Sequence, residues 1–459
     1  MKKIILVFCT VFFVSVSFSQ SVSQNLQKAW QQFESDSQLK HAISSLYVID
    51  AKTGEVVFDK NSQIGLAPAS TQKIITAATA FELLGKDYRY KTELGILKGE
   101  KENSVYLKPS GDPTFGSWRW NSTKEQFILD GIIKTYKPVI ESTNSTVYVN
   151  QKGWDRQNIP DGWIWQDIGN YYGAGAGLIN WRENQYDLIL KSGSKIGDNV
   201  EVVKTIPDLY SYEINSYATS AKAGSGDNAY IYLPASENGG VVRGTIPVNE
   251  NKFEISGAMP YPANQFVETL RDTLFGRDKP YNHIATLFSD EFKSKPEILY
   301  THYSPSLDSI TYWFLKKSIN LYGEALLKTF AYEKNGFGST DGGVKIVKDF
   351  WKQKGIDEDE LNISDGSGLS PQNRTTTHAQ VEVLKYAKGK DWYPYYLKGF
   401  PDYNGMKMKS GTIKDVKGFC GYHKAKDGKE YIFSFLVNNY NGKTSGVVSK
   451  MYKVLDELK

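Results

Sequence analysis

The middle of this chain has a different hydrophobic pattern from its two ends. Between about residues 92 and 287, short segments of alternating apolar and polar residues are separated by turns rich in glycine and asparagine, which is typical of β structure. Longer stretches with helical spacing follow, notably residues 307–333 and 341–354. The chain contains no internal repeat, and its mix of β-rich and helical segments predicts an α+β protein. Its length is sufficient for two or three domains.

The first nineteen residues have the layout of a secretory signal peptide. Lys2 and Lys3 precede an apolar run from Ile4 to Val16, and small residues follow at positions 17 and 19. The apolar run of about thirteen residues is short of the roughly 20 that a membrane-spanning helix needs. We therefore expect cleavage near residue 19, no stable membrane span, and an exported, periplasmic protein.

Charge and histidine content narrow the possible functions. Loss of residues 1–19 removes two lysines and no acidic residue, so the formal charge falls from +4 to +2, which argues against nucleic acid as a partner. The five histidines form none of the close pairings of zinc peptidases, and no glycine-rich phosphate loop follows a strand. We expect neither a metal nor another cofactor.

One Ser-x-x-Lys motif opens a predicted helix. Ser70 and Lys73 follow Pro68 and begin an apolar stretch with helical spacing that ends at Gly85. Residues three apart share a helix face, so the Lys73 amine can approach the Ser70 hydroxyl and take its proton. A lysine of ordinary pKa, about 10.4, needs a downward shift of about 2 to 3 units for that role.

The Ser-x-x-Lys pattern alone is weak evidence, because it also occurs at residues 37–40 and 192–195. A second motif, Ser318-x-Asn320, follows one helical stretch, although the same pattern also serves in turns and caps. A third, Lys-Ser-Gly-Thr at residues 409–412, is followed by an apolar stretch and predicts a strand in which glycine allows close backbone approach. The evidence lies in the combination of the three.

In this order, the three motifs resemble the signature elements of the penicillin-recognising serine enzymes. Segments 110–114, 171–180 and 365–374 are similar to the low-molecular-mass class C penicillin-binding proteins, the D-alanyl-D-alanine carboxypeptidases and endopeptidases. The 248 positions that separate Ser70 from Ser318 match the family's inserted domains. The chain departs from the pattern with Ser-Ile-Asn for Ser-Asp-Asn and Lys-Ser-Gly for Lys-Thr-Gly, and both changes keep the functional groups.

The resemblance implies a fold as well as a site. We expect an α+β penicillin-binding or serine β-lactamase-like catalytic domain, a sheet flanked by helices, split by a long β-rich two-domain insert. The catalytic domain would join residues 20–92 with residues 288–459. One inserted domain would comprise residues 93–172 and 250–287, and a second, β-rich domain residues 173–249.

The resemblance also implies catalytic roles. Ser70 would be the acylated nucleophile and Lys73 the base that activates it, while Ser318 would relay a proton to the leaving amine. Asn320 would orient the backbone amide of the substrate, and Lys409 would keep the site electropositive.

Substrate binding is implied for four further residues. Ser410 and Thr412, on either side of Gly411, would hold the terminal carboxylate. The backbone N–H groups of Ser70 and Thr412 would form the oxyanion hole. Asp167 would contact the free amino group of the diamino acid in the stem peptide, although a solvated or capping aspartate fits its position equally well.

The expected function is therefore a serine-type D-Ala-D-Ala carboxypeptidase or DD-endopeptidase that acts on peptidoglycan stem peptides, with β-lactams as covalent inhibitors. One alternative is a β-lactamase, which shares acylation and differs in fast deacylation. Another is a non-catalytic wall-binding protein, against which the intact set of motif residues argues.

Overall fold

The computed structural model describes residues 21–98, 103–136, 146–234, 239–276 and 286–459. The expected signal peptide lies outside these residues. Within them, no helix has the length and apolar character required to cross a membrane. The helices are α1 (Val22–Glu34), α2 (Lys73–Leu84), α3 (Glu125–Tyr136), α4 (Trp165–Ile168), α5 (Pro262–Phe275), α6 (Leu307–Lys316), α7 (Asn320–Asn335), α8 (Thr340–Gln353), α9 (Thr377–Lys388), α10 (Tyr393–Lys398) and α11 (Thr444–Leu455).

Strands lie at both ends of the chain and through its middle. They are β1 (Ile43–Asp50), β2 (Val56–Lys60), β3 (Lys91–Leu97), β4 (Ser104–Lys108), β5 (Val147–Asn150), β6 (Gln185–Lys191), β7 (Glu201–Ile206), β8 (Glu213–Ser216), β9 (Thr219–Ala221), β10 (Asn228–Tyr232), β11 (Gly239–Pro247), β12 (Phe253–Ala258), β13 (Thr286–Ser289), β14 (Glu297–Tyr303), β15 (Leu361–Asn362), β16 (Arg374–Thr375), β17 (Asp402–Tyr403), β18 (Met406–Ile413), β19 (Val416–Lys424) and β20 (Glu430–Asn438).

A six-stranded sheet joins the two ends of the chain. Its order is β17-β18-β19-β20-β1-β2, and the pairs along it are antiparallel. Strands β1, β19 and β20 are buried along most of their length, as expected for central strands covered on both faces. In β1, Leu46 and Val48 enter one core, whereas Tyr47 and Ile49 enter the core on the opposite face.

Helices cover both faces of this sheet. On one face, α1 begins at a capping box formed by Ser21 and Gln24 and buries Leu26, Trp30 and Phe33 against the sheet together with α11. The opposite face carries α2 and the helices from α6 to α10. Helix α2 is buried around most of its circumference and ends at Gly85, whose φ of 78° suits a helix terminus. The Ser-x-x-Lys motif at the start of α2 therefore sits in a well-packed layer.

Separate sheets occupy the middle of the chain. A five-stranded sheet of order β13-β5-β4-β3-β14 packs against α3 and α5. A three-stranded sheet, β12-β6-β7, and a four-stranded sheet of β8 to β11 share another core. Strand pairing extends past two of the expected boundaries, since β14 pairs with β3 and β12 pairs with β6. We therefore propose that the first inserted domain continues through residue 303 and that residues 253–258 belong to the second.

Candidate active site

A short 3-10 helix presents Ser70 at the start of α2. This helix spans Ala69–Gln72, and Ala69 adopts a φ of 47°, a conformation that non-glycine residues seldom take. The Thr71 hydroxyl donates to the Pro68 carbonyl at 2.7 Å, which closes the turn. Ser70 is half-buried, whereas its neighbours on either side are fully buried. The surrounding packing thus fixes the backbone while leaving the Ser70 side chain accessible.

The Lys73 amine lies beneath Ser70 and contacts three oxygen atoms. Its Nζ is 2.9 Å from Ser70 Oγ, 2.6 Å from Asn320 Oδ1 and 2.7 Å from the Ser367 carbonyl oxygen. A neutral amine that donates to Asn320 and Ser367 has one lone pair left, and that lone pair can accept the hydrogen of the Ser70 hydroxyl. The geometry therefore suits proton transfer from Ser70 to Lys73.

Burial prepares Lys73 for that transfer. The side chain is completely buried, and the loss of hydration lowers the pKa of Lys73 to about 7, against the opposing attraction of Asp365 and Glu324. Glu324 is a weak counter-charge, because burial also raises its pKa, to about 8. A substantial fraction of Lys73 is then neutral at physiological pH, as a general base requires.

Ser318 occupies the break between α6 and α7. Its φ of 59° places it in the left-handed region, where a residue without a glycine's freedom is strained. Lys409 Nζ donates to Ser318 Oγ at 2.9 Å and to the Ser410 carbonyl at 2.7 Å. On α7, Asn320 donates from Nδ2 to the Tyr172 carbonyl at 2.7 Å, which ties this motif to the inserted region. All three motifs therefore meet around Ser70 and Lys73.

Gly411 lets β18 lie directly against the Ser70 turn. A Cβ at this position would be 2.6 Å from the Pro68 carbonyl, 2.8 Å from the Thr71 nitrogen and 2.9 Å from the Ser70 nitrogen. These are backbone atoms, so they could not move aside as a flexible side chain could. β17 pairs only with residues 406 and 407 of β18, so in the described chain the segment around Gly411 has β19 as its neighbouring strand.

A cleft of about 960 Å³ opens above this cluster. Ser70, Ser318, Asn320 and Thr412 line one part of it, and Asp167 of α4 lines another. Burial raises the pKa of Asp167 to about 6, and a hydrogen bond from the Tyr172 hydroxyl opposes that shift. Asp167 is therefore an anion at neutral pH that faces the same cleft as Ser70.

Segment 365–374 forms part of the cleft wall and part of the buried core beneath it. Leu369 and Pro371 line the cleft, whereas Asp365 and Ser367 are fully buried beneath it. The Asp365 carboxylate accepts hydrogen bonds from the backbone N–H groups of Gly368 and Ser370 and from the Trp163, Gln72 and Asn373 side chains. Through the Ser367 carbonyl, this segment also supports Lys73 from below.

The two competing Ser-x-x-Lys patterns lie elsewhere. Residues 37–39 form a 3-10 helix before β1, and Ser192 accepts a hydrogen bond from the Glu250 backbone in the inserted region. Neither serine lines the cleft. None of the sequence motifs includes Lys417, which donates to the Ser410 and Thr412 hydroxyls. The register of β18 and β19 places Thr412 opposite Lys417, so a hairpin prediction through residues 413–416 would have pointed to it.

The fold defines the class of protein. The structure superposes on that of penicillin-binding protein 4 (dacB) from Haemophilus influenzae with a TM-score of 0.79 and 18% sequence identity, over 95% of this chain and 99% of that chain. A second structure of that protein, in complex with a β-lactam, superposes with a TM-score of 0.72. The chain has a penicillin-binding fold, which confirms the expected α+β class with additional domains.

Sequence comparison gives the family. Residues 23–402 match the D-Ala-D-Ala carboxypeptidase 3 (S13) family, and the chain belongs to it. A D-alanyl-D-alanine carboxypeptidase of Actinomadura sp. (strain R39) is 24% identical over 89% of this chain and 80% of its own length. The D-alanyl-D-alanine carboxypeptidase DacB of Haemophilus influenzae is 21% identical over 84% of this chain and 83% of its own length. The family that the motifs resembled is thus confirmed.

Proposed function

We propose that this protein is a serine-type D-Ala-D-Ala carboxypeptidase, a DD-endopeptidase or both, and that it acts on peptidoglycan stem peptides through an acyl-enzyme on Ser70. The observation that carries the proposal is the 2.9 Å contact between Ser70 Oγ and the buried amine of Lys73, whose pKa is lowered to about 7. Membership of the S13 family supports the substrate class. An exported, periplasmic location would bring the protein to that substrate.

In the first half-reaction, neutral Lys73 removes the Ser70 proton as Oγ attacks the carbonyl carbon of the penultimate D-alanine. The N–H groups of Ser70 and Thr412 stabilise the oxyanion. Ser318, held by Lys409, passes a proton to the departing amine as the peptide C–N bond breaks. It takes in return the proton that Lys73 removed from Ser70, so that Ser318 is a hydroxyl and Lys73 a neutral amine again. Asn320 bonds the substrate's backbone amide, so that the scissile carbonyl stays aligned. The product is an ester between Ser70 and the shortened peptide.

In the second half-reaction, water attacks the ester, and its proton is taken by Lys73. The C–O bond to Ser70 breaks, the Ser70 hydroxyl is restored, and the free carboxylic acid leaves. A β-lactam follows the same first step, but its opened ring remains attached to the acyl group. Slow hydrolysis of that ester would make β-lactams covalent inhibitors, whereas rapid hydrolysis would define a β-lactamase.

The test is labelling with benzylpenicillin followed by peptide mapping. We expect one adduct per chain, on Ser70, and none in the Ser70→Ala variant. A Ser192→Ala control should label as the wild type does. A label on another serine, or persistence of the label in Ser70→Ala, would reject the mechanism.

Digestion of purified muropeptides then separates the activities. Release of D-alanine from pentapeptide monomers identifies carboxypeptidase action, and conversion of cross-linked dimers to monomers identifies endopeptidase action. A labelled protein that cleaves neither, and that turns over a chromogenic cephalosporin rapidly, is a β-lactamase.

A further inference from the structure

Lys417 is a buried cation beside the cleft. It lies on β19 with 7% of its surface exposed, and its Nζ donates to Ser410 Oγ at 2.7 Å and to Thr412 Oγ1 at 2.8 Å. The Phe419 ring centroid is 4.6 Å from the same nitrogen. Burial lowers the pKa of Lys417 to about 8, and no carboxylate in the described ranges opposes that shift. A buried ammonium without a counter-charge is costly for a protein to maintain.

The two hydroxyls connect Lys417 to the cleft. An ammonium can only donate hydrogen bonds, so the Ser410 and Thr412 oxygens must accept from it. Their own hydrogens are then free to point away from Lys417. Thr412 is exposed and lines the cleft, and Ser410 is half-buried. Two hydroxyl donors backed by a positive charge form a site for an anion.

We propose that Lys417 is the counter-charge for the terminal carboxylate of the substrate and acts on it through the Ser410 and Thr412 hydroxyls. The proposal rests on the function proposed above and adds a specificity-determining residue to it. Each hydroxyl donates to one carboxylate oxygen while it accepts from Lys417, so the negative charge is matched by a positive charge in the layer behind it. A ligand without that carboxylate gains little from Lys417.

Lys409 is less suited to this role. Its Nζ is occupied by Ser318 Oγ and the Ser410 carbonyl, which keep it at the proton-relay side of the site. Burial, the charge of Lys73 and that of Lys417 all lower its pKa. For Lys417, burial is the cause that lowers the pKa, so its ammonium is the less opposed of the two.

The test compares benzylpenicillin with its methyl ester, which has the same reactive ring and no negative charge. In Lys417→Met, the second-order rate constant for acylation by benzylpenicillin should fall about 10- to 100-fold, the effect of a lost interaction with a charged group. The constant for the ester should change less than about threefold. Lys424→Met, on the exposed end of the same strand, should leave both constants unchanged.

Two further measurements separate electrostatics from folding. Lys417→Arg should keep most of the preference for benzylpenicillin over its ester, since guanidinium retains the charge. In the wild type, that preference should decline as pH rises through about 8 and the Lys417 ammonium is lost, whereas the arginine variant should retain it. These readouts remain decisive if Lys417→Met does not fold.

Three results would overturn the proposal. Equal losses for both ligands would mean that Lys417 only holds β18 in place, and no loss for either would remove it from the site. A preference that does not change with pH in the wild type would show that its charge is not used. A wild-type protein that neither ligand acylates at Ser70 would instead refute the proposed function, and this inference with it.

Discussion

The pH dependence of acylation should follow the titration of Lys73. With a pKa of about 7, the lysine is about half neutral at pH 7 and about 1% neutral at pH 5. A lysine with the ordinary value of 10.5 would be only about 0.03% neutral at pH 7. Burial therefore raises the reactive fraction at neutral pH by about 1,500-fold, equivalent to about 4 kcal/mol of the acylation barrier at most.

Acylation by benzylpenicillin methyl ester isolates this effect, because the ester lacks the carboxylate assigned to Lys417. We expect its second-order rate constant to rise about tenfold per pH unit up to about pH 6 and to level off above pH 7. Stopped-flow measurement between pH 5 and pH 9 covers the whole transition. Lys73→Arg and Lys73→Met should each lose about 10²- to 10⁴-fold, since neither side chain can accept the proton.

Protein stability provides an independent readout. The folded pKa of Lys73 is below its unfolded value, so the folded protein binds fewer protons between about pH 7 and pH 10.5, and stability should rise with pH in that window. Relative to Lys73→Met, the free energy of unfolding should increase by up to about 1.4 kcal/mol per pH unit there.

Acylation that is constant from pH 5 to pH 8, or that rises only above pH 9, would refute the assignment of Lys73 as a base with a lowered pKa.

Two other predictions concern the walls of the cleft. Gly411→Ala should reduce acylation at least about tenfold and destabilise the fold by about 1 to 3 kcal/mol, because the added Cβ would meet three backbone atoms within 2.9 Å. Acylation rates and thermal unfolding measure these two effects. Gly389→Ala is the control that should be tolerated, since the atom nearest to its added Cβ is 3.6 Å away. Asp167→Asn should lower kcat/KM for a stem peptide with a free side-chain amine by about 10- to 100-fold and leave penicillin acylation nearly unchanged. Wild-type acylation by Gly411→Ala, or equal effects of Asp167→Asn on peptide and penicillin, would contradict these assignments.

Spacing along the sequence predicted the contacts that arise within a single helix or strand. The i to i+3 relation on a helix brings Lys73 to Ser70, and the glycine of the third motif indicated close backbone approach before its neighbours were known. The 3.6-residue pattern also predicted helices near those observed after residue 306. These features follow from geometry within about one turn of helix or one strand.

Contacts between distant segments could not be predicted in this way. Asp365 and Glu324 influence Lys73 only because segment 365–368 packs between α2 and α7, a contact that neither the three motifs nor the resemblance of segment 365–374 specified. The pairing of β14 with β3, across the expected boundary at residue 288, is likewise a property of the folded sheet that local patterns do not specify. Lys417 depended on the register of a hairpin, which motif order does not specify.

Two buried lysines of the site need different charges. Lys73 must be neutral to accept the Ser70 proton, whereas Lys417 must be charged to bind a carboxylate, and burial lowers the pKa of both. A bound carboxylate resolves this conflict. It is held by the Ser410 and Thr412 hydroxyls, which are the partners of Lys417, so its negative charge favours the ammonium form of Lys417 more than that of Lys73. Lys73 instead gains a proton from Ser70 only during attack, when the developing oxyanion supplies the compensating charge. On this proposal an anionic substrate keeps the binding lysine charged and leaves the base neutral. A ligand without the carboxylate should therefore lack the decline above about pH 8 and should keep the same acid limb.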